Sequence, residues 1–328
     1  MIVFCTFLAW LQTVFASNVN LLPFPREIRW GCPSPIYISE SVGLKVECAF
    51  DAQVVERAFT RTMKSVFDLQ FYPPVKDNHR TEDCYDTSAR VSSDSDANVF
   101  LNSYPLLPQI ISTFDHPTPF IDTVFVTIHN DVELQLEVDE SYTMIVGSNV
   151  SIVANTVWGV LCAFQTLRQL ILYHDNRFYI NGSVTISDAP LFPHRGIMID
   201  TSRNFIPVED LKEQISIMAL CKLNSLHLHL TDTQSWPVEI ETYPEMTKDA
   251  YSSSEIYSVQ DIADLINFAR DRGVRIIPEI DMPGHSRAGW RRVEPELVIC
   301  GDTYWNCNRT TGLIAVEPGP GQLNVLHN

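Results

Sequence analysis

The chain has 328 residues, of which 45% are hydrophobic and 19% charged, and its 40 acidic against 23 basic side chains give a net charge of −17. An aromatic fraction of 10% excludes disorder as the main state. The acidic balance argues against nucleic acid and anionic membrane surfaces as partners, since both would repel it. The length predicts about two domains at roughly 150 residues each, and a neutral or cationic substrate fits the charge best.

Residues 1–16 have the features of a signal peptide. Ile2–Phe15 is apolar with few interruptions, and Val14-Phe15-Ala16 offers small residues at the cleavage spacing. The run is shorter than the roughly 20 apolar residues of a membrane span, so no span is expected; a buried N-terminal helix is the alternative. Sequons at Asn149, Asn181 and Asn308 predict glycosylation and support the secretory pathway, with an extracellular, lysosomal or vacuolar destination.

Removing Cys5 with the signal leaves an odd number of cysteines, which is unusual for an oxidising compartment. Cys162 and Cys221 fall in helical patterns and are predicted to be small core residues. Cys48 with Cys84 is a predicted bridge. The pairing of the others stays open. One alternative is a local disulfide between Cys300 and Cys307, and the other is a disulfide from one of them to a cysteine outside this chain. These others are Cys32, Cys300 and Cys307.

Residues 18–190 predict a small α+β domain, because strands and helices do not alternate strictly. Four-residue spacing of apolar side chains predicts a helix over Val54–Phe67. Alternation predicts strands over Asp122–His129 and Tyr142–Val146, and an apolar run predicts a helix over Thr156–Tyr173. Asn181-Gly182 then predicts the turn of a β-hairpin.

Residues 191–328 show a different, repeating β-α-β pattern. Predicted strands Gly196–Asp200, Leu226–Asp232 and Val274–Asp281 are separated by predicted helices Pro207–Cys221 and Val259–Arg272. Apolar strands of this kind form a parallel sheet, and acidic residues at successive strand ends are typical of the catalytic face of a (β/α)8 barrel. The fold class is therefore α/β: an N-terminal α+β domain followed by the first half of a TIM barrel.

A closed barrel needs about 250 residues, more than lie between Arg195 and the last residue. Half a barrel would leave an unpaired strand edge. Together with the odd cysteine count, this predicts that the sequence is a truncated form of a longer one.

The carboxylates at the predicted strand ends are candidates for acid, base or sugar-hydroxyl acceptor. Taken singly, each has a salt bridge or a helix cap as its alternative role, but together on one barrel face they favour function. Arg203, just past the first strand, can donate paired hydrogen bonds to sugar hydroxyls, with a salt bridge as its alternative. The four carboxylates are Asp200, Asp232, Glu279 and Asp281.

Three histidines lie in the same region. His227 and His229 point to one side of a strand, an arrangement that can hold a divalent metal; hydrogen bonding within the strand's polar layer is the favoured alternative. His285 follows Asp281-Met-Pro-Gly, a turn expected to swing the imidazole over the barrel mouth, where it can relay charge between carboxylates. Three loop tryptophans are candidates for sugar stacking, with loop packing the better explanation for each. They are Trp236, Trp290 and Trp305.

Four motifs give the chain a family resemblance. Phe192–Arg203 (FPHRGIMIDTSR), Lys222–Asp232 (KLNSLHLHLTD) and Pro278–His285 (PEIDMPGH) closely resemble the barrel of family 20 glycoside hydrolases, the β-N-acetylhexosaminidases. Ala154–Gly159 resembles a helix start in that family's N-terminal domain. The resemblance runs from about residue 20 to 316.

The resemblance implies hydrolysis of glycans that end in β-linked N-acetylglucosamine or N-acetylgalactosamine, without a cofactor or metal. In this family the substrate's own acetamido oxygen attacks the anomeric carbon, an Asp orients the acetamido group, and an adjacent Glu is the general acid. By resemblance Arg203 binds ring hydroxyls, and Asp232 with His285 forms a network that tunes the acid. A homodimer is expected of the full-length form, because many relatives are dimers.

The sequence departs from the family in one respect: it contains no Gly-Gly-Asp-Glu motif, which carries the Asp-Glu pair. The 328-residue chain is therefore expected to be inactive alone. Two other hypotheses stay open. One is a metal-dependent hydrolase that uses His227, His229, His285 and an Asp. The other is a truncated, non-catalytic chain that binds amino sugars or has no activity.

Overall fold

The computed structural model describes residues 21–32, 34–68, 120–174, 176–300 and 321–326. Within these residues the N-terminal part forms an eight-stranded sheet in the order β1-β8-β4-β5-β3-β2-β7-β6, covered by two helices. The strands are β1 (Glu27–Trp30), β2 (Ile36–Glu47), β3 (Phe120–Ile128), β4 (Tyr142–Val146), β5 (Val150–Ala154), β6 (Leu172–His174), β7 (Arg177–Ile180) and β8 (Val184–Asp188), and the helices are α1 (Gln53–Asp68) and α2 (Val157–Leu170).

Apolar periodicity explains how these elements pack. In β3 the alternating residues Val124, Val126 and Ile128 are all buried, as predicted. α1 buries its four-residue stripe against α2, where the Phe59 and Phe164 rings lie 5.6 Å apart. The sheet mixes parallel pairs (β2 with β3, β3 with β5) and antiparallel pairs, which confirms the α+β assignment.

Two predictions in this part were wrong. Asn181-Gly182 is not a hairpin turn, because β7 pairs with β2 and β6 whereas β8 pairs with β1 and β4. The tight turn lies one strand earlier, between β6 and β7, where Asn176 adopts φ 58°. The predicted helix Thr156–Tyr173 ends at Leu170, because Ile171 is already extended and leads into β6.

The second sheet has three parallel strands in the order β9-β10-β11, each followed by helical structure. This is the arrangement of the first part of a (β/α)8 barrel, as predicted. Its apolar strands and the inner faces of its helices share a second buried core. The elements are β9 (Gly196–Asp200), α3 (Val208–Leu220), β10 (Ser225–Thr231), a 3₁₀ helix (Pro244–Asp249), α4 (Val259–Arg270) and β11 (Arg275–Ile280).

The segment after β11 is short and irregular. Helix α5 (Trp290–Val293) and a 3₁₀ turn (Pro295–Leu297) lead into β12 (Val298–Ile299), which pairs antiparallel with β13 (Gln322–Leu323). Among the described helices, none combines the length and apolar character needed to cross a membrane.

The cysteine predictions can be checked only where the structure describes the residues. Cys162 is buried in α2, as expected of a core residue, but Cys221 is exposed at the C-terminal end of α3, so its core assignment was wrong. Cys84 and Cys307 lie outside the described residues, so both disulfide pairings stay predictions. The same holds for the signal peptide, Asn308 and Trp305.

Buried ion pairs join the two sheets' domains. The Arg195 guanidinium donates to both oxygens of Glu140 at 3.0 and 2.7 Å, and Asn224 adds a third bond at 3.1 Å. Nearby, buried Lys222 donates to Thr166 and to Asp188 at 2.7 and 3.2 Å. Because a buried charge is stable only when it is paired and hydrogen-bonded, these contacts fix how the domains dock.

We expect Glu140→Ala to lower the free energy of unfolding by about 3–5 kcal/mol, because it leaves Arg195 buried without its counter-charge. Glu133→Ala is the matched control, since Glu133 also pairs across the two parts, with Arg270, but its side chain is 80% exposed. That variant should cost less than about 1 kcal/mol. Urea unfolding of both variants tests this; equal losses would contradict it.

Candidate active site

Strand register gathers the predicted site residues at one end of the three-stranded sheet. His229 of β10 lies opposite Asp200 of β9 on one side and Glu279 of β11 on the other. The loops that follow these strands add Arg203, Asp232 and His285. Because carboxyl ends of parallel strands share one edge, residues far apart in sequence become neighbours.

Asp232 is the centre of this cluster. Its side chain is fully buried, and its two oxygens accept from four donors, one on each surrounding segment. Arg203 Nη2 lies 2.6 Å from Oδ2, the Thr233 amide donates to Oδ1 at 2.6 Å, His229 Nε2 lies 3.0 Å from Oδ2, and His285 Nδ1 lies 3.2 Å from Oδ1. A carboxylate needs such a set of donors to remain charged in a buried position.

Arg203 joins two strand-end carboxylates. Its Nη1 lies 2.6 Å from Asp200, and its Nη2 lies 2.6 Å from Asp232. Burial raises the pKa of Asp200, whereas hydrogen bonds from Arg203 and Ser202 lower it. Because the hydrogen bonds have the larger combined effect, the pKa of Asp200 is lowered overall. The salt bridge considered as an alternative role for Arg203 is therefore present, and it joins Arg203 to both carboxylates. These contacts hold the guanidinium, which is about one-third exposed, in a fixed orientation at the mouth.

His227 and His229 share one face of β10, as predicted, and both contact Glu279 of the neighbouring strand. His227 Nε2 contacts Oε2 of Glu279, and His229 Nδ1 lies 3.0 Å from its Oε1. Burial lowers the pKa of His229, but hydrogen bonds to Asp232 and Glu279 outweigh it and raise the pKa overall. Each ring thus has a neighbouring partner within the polar layer of the strands.

Three potential ligand atoms, from His229, Asp232 and Asp281, lie within 4.8 Å of one another. A divalent metal there would compete with the four donors on Asp232 and would lie beside the Arg203 guanidinium, which carries a fixed positive charge. The donor set therefore favours a network of charged hydrogen bonds over a metal centre at these residues.

His285 reaches Asp232 because the loop after β11 turns sharply. The residue has φ 55°, in the left-handed region. Ser286 Oγ fastens the turn by donating to the carbonyls of Asp281 and Gly284 at 2.9 and 2.8 Å. The loop thus carries the imidazole over the strand ends, where its Nδ1 contacts Asp232.

A second buried carboxylate, Asp249, holds the mouth loops and was missed in the sequence. Its side chain is 1% exposed and accepts from Gly289 N at 3.1 Å, from Arg291 Nε and Nη2 at 2.7 and 2.6 Å, and from Arg292 Nε at 2.7 Å. Burial raises the pKa of Asp249, but the arginine hydrogen bonds lower it more, so the net shift is downward. The adjacent Arg291-Arg292 pair was the one available signal.

The tryptophans pack within these same loops. Trp236 is 3% exposed and meets the Trp290 ring edge-on at a centroid distance of 5.9 Å. A Cβ atom on Gly289, which has φ 75°, would lie 2.5 Å from the Trp236 ring, so only glycine fits there. Loop packing therefore accounts for Trp236.

Comparison with known proteins agrees with this geometry. The model described as "Glycosyl hydrolase family 20, catalytic domain" matches residues 192–328, and the one described as "beta-acetyl hexosaminidase like" matches residues 21–170. The chain belongs to glycosyl hydrolase family 20. Its Asp232 network lies entirely within the part matched by the catalytic domain.

Relatives in this family resemble the chain over nearly its full length. The beta-hexosaminidase of Emericella nidulans is 42% identical over 99% of this chain and 52% of its own length. Beta-hexosaminidase 1 of Coccidioides posadasii is 41% identical over 95% of this chain and 49% of its own. The chain therefore spans about half the length of the curated relatives it matches.

Solved structures share the fold. The chitobiase of Flavobacterium johnsoniae aligns with a TM-score of 0.62 at 24% identity, over 86% of this chain and 37% of its own. A family 20 exo-β-N-acetylglucosaminidase from Vibrio harveyi, solved with N-acetylglucosamine, aligns with a TM-score of 0.61 at 23% identity, over 93% of this chain and 42% of its own. At these identities the likeness establishes the fold alone.

We expect Asp249→Asn to destabilise the chain by about 2 kcal/mol at pH 7, because the two arginines lose their buried counter-charge. Since the folded-state pKa of Asp249 is lowered, its contribution is present above the unfolded value of about 3.9 and lost as pH falls through the folded value. The difference between wild type and variant should therefore shrink below pH 4. Urea unfolding from pH 7 to pH 3 measures it.

The control for this variant is Asp264→Asn, on the exposed face of α4, where the carboxylate accepts a hydrogen bond from the neutral Gln260. It should change stability by less than about 0.5 kcal/mol across the same pH range. A loss of equal size in both variants would count against the proposed clamp.

We expect the His229 imidazole to titrate above its ordinary value of about 6.5. Its stabilising contribution is then fully present below pH 6.5 and is lost as pH rises through the folded-state pKa. Glu279→Gln should lower the titration midpoint, because it replaces a charged partner of Nδ1 with a neutral one. Histidine-ring ¹⁵N–¹H spectra, assigned with His229→Gln, report it; an unchanged midpoint in Glu279→Gln would refute this account.

Proposed function

We propose that the full-length protein removes terminal, non-reducing β-linked N-acetylhexosamine from glycans by the substrate-assisted, retaining mechanism of family 20. The observation that carries the proposal is the buried Asp232 carboxylate, which holds Arg203 and His285 together within the segment matched by the catalytic domain. The names of the relatives support this substrate class, including a chitooligosaccharidolytic β-N-acetylglucosaminidase of Bombyx mori.

In this proposal Arg203 binds the sugar ring. Two carboxylates fix its guanidinium, so the group is held at the mouth before vicinal hydroxyls arrive, and less side-chain entropy is lost on binding. The salt bridges with Asp200 and Asp232 also keep the Arg203 side chain from turning out into solvent.

Asp232 and His285 form the second functional unit. Asp232 holds Nδ1 of the imidazole, and this contact fixes the orientation of the ring at the barrel mouth. Behind Asp232, the hydrogen bonds of His229 to Asp232 and Glu279 raise the pKa of its imidazole. We assign to the pair the tuning of the general acid glutamate that the family carries in its Gly-Gly-Asp-Glu motif.

That motif is not among the 328 residues, so we propose that this chain by itself is inactive. We further propose that the full-length form enters the secretory pathway, carries glycans on Asn149, Asn181 and Asn308, contains disulfides, and forms a homodimer. Asn149 is exposed at the turn between β4 and β5, where a glycan has room.

The decisive experiment measures release of 4-methylumbelliferone from its N-acetyl-β-glucosaminide by the full-length protein. Asp232→Asn should lower kcat by at least about 100-fold, because orientation and charge at the acid are lost together, and it should shift the pH profile. Glu133→Gln, an acid-to-amide change on an exposed side chain, should leave kcat within twofold.

Three results would overturn the proposal. One is glycoside release by the 328-residue chain itself, and another is activity that a chelator abolishes, which would favour the metal-dependent hydrolase. The third concerns mass: an enzymatically deglycosylated native protein no heavier than 37.2 kDa would leave no room for the motif and favour the non-catalytic alternative.

A further inference from the structure

A partly open cavity of about 240 Å³ lies between α1, α2 and the C-terminal end of α3, among residues that take no part in the Asp232 network. Its walls are mainly apolar and include Ala58, Trp158, Leu161 and Leu223. Its volume is slightly below the 300–1,000 Å³ typical of sites for drug-sized ligands. The space therefore suits a fragment-sized molecule.

Two arginines, Arg61 and Arg272, are among the polar residues that line the cavity. Arg61 of α1 uses one N–H, from Nη2 to the Asp271 carbonyl at 2.5 Å. Arg272 uses one, from Nη1 to the Phe268 carbonyl at 3.1 Å, while its guanidinium stacks on the Phe268 ring at 3.3 Å. A guanidinium carries five N–H donors, so most donors of both residues have no protein acceptor within the described residues.

The acids near the cavity are committed to other cations. Asp271 accepts two bonds from Arg57, at 2.8 and 2.7 Å. Glu140 is held by Arg195 and Asn224. Burial and the charge of Arg61 lower the pKa of Arg272 to about 10, although Asp271 opposes the shift. The cavity lining therefore carries an excess of positive charge, with Arg61, Arg272 and Lys222 against Glu140.

The lining also contains an unsatisfied acceptor. Gln165 Oε1 is buried and has no hydrogen-bond partner among the described residues. Buried polar atoms of this kind are normally paired with protein, water or ligand, whereas cavities that stay empty are wholly apolar. Gln165 Oε1 can accept from water or from a ligand N–H or O–H but not from an ionised carboxylate, so it indicates a polar occupant, while the two arginines indicate an anionic one.

We propose that this cavity is a binding site for a small monocarboxylate with a short apolar or aromatic body. The carboxylate accepts from Arg61 and Arg272, as paired guanidinium donors favour, and the body fills the space beside Trp158 and Leu161. The site is separate from the proposed glycosidase site and does not depend on it.

Phenylacetate is the probe for the test, with benzyl alcohol as its neutral counterpart and inorganic phosphate as an anion without an apolar body. Binding to the purified full-length protein is measured by ligand-observed NMR titration and by the shift in thermal unfolding midpoint, since a ligand that binds the folded state raises it. Phenylacetate should bind saturably with a Kd of about 1 mM or tighter. The other two probes should bind at least tenfold more weakly.

Four variants locate the site. Arg61→Gln and Arg272→Gln should each weaken phenylacetate binding at least tenfold. Lys64→Gln, on the exposed face of the same helix and outside the cavity lining, is the matched control and should leave Kd within twofold. Ala219→Leu should block binding by filling the cavity without lowering the unfolding midpoint, which separates loss of the site from loss of the fold.

Equal binding of benzyl alcohol would overturn the role of the arginines, and equal binding of phosphate would overturn the role of the apolar walls. Absence of saturable phenylacetate binding would mean that the cavity holds water only, and would also overturn the proposal. Because none of these readouts uses glycosidase activity, their failure leaves the proposed function untouched, and the reverse holds as well.

Discussion

The arrangement of the barrel mouth depends on the burial of one carboxylate, Asp232. Placing an ionised group in a water-free position costs several kcal/mol unless donors replace its hydration. Here the donors come from the loop after β9, from β10 itself and from the loop after β11. The three segments can satisfy Asp232 only by meeting, so the need to pair this charge specifies the positions of Arg203, His229 and His285 relative to one another.

The charged and titratable side chains behind Asp232 are paired with one another in the same way. From His285 the contacts run through Asp232, His229 and Glu279 to His227, so that carboxylates and imidazoles alternate. His229 lies between two carboxylates, and its hydrogen bonds to Asp232 and Glu279 raise the pKa of its ring. The His-x-His pattern on β10 therefore serves an extended network, in which a metal would have to displace bonds that already satisfy both partners.

Sequence patterns were sufficient for whatever depends on local periodicity. The apolar spacing of α1 and the strand ending at Asp200 follow from one-dimensional pattern, and so do the carboxylates at the strand ends. The prediction of a hairpin at Asn181-Gly182 was wrong because turn propensity is local, whereas strand pairing is not. β7 pairs with β2, and β8 pairs with β4. Asp249 could not be found, because its arginines follow some forty residues later and only the fold brings them together.

In the described part of this chain, the buried carboxylates are fully hydrogen-bonded. The arginines that line the cavity differ from this pattern. Asp232, Glu140 and Asp249 each accept at least three hydrogen bonds. Arg61 and Arg272 are half-buried as well, yet each has a single donor bond, and to a backbone carbonyl. Elsewhere the described carboxylates are surrounded by donors, but here two guanidinium groups line a space whose one acid, Glu140, is already paired with Arg195 and Asn224. A carboxylate supplied from outside would complete the same pattern.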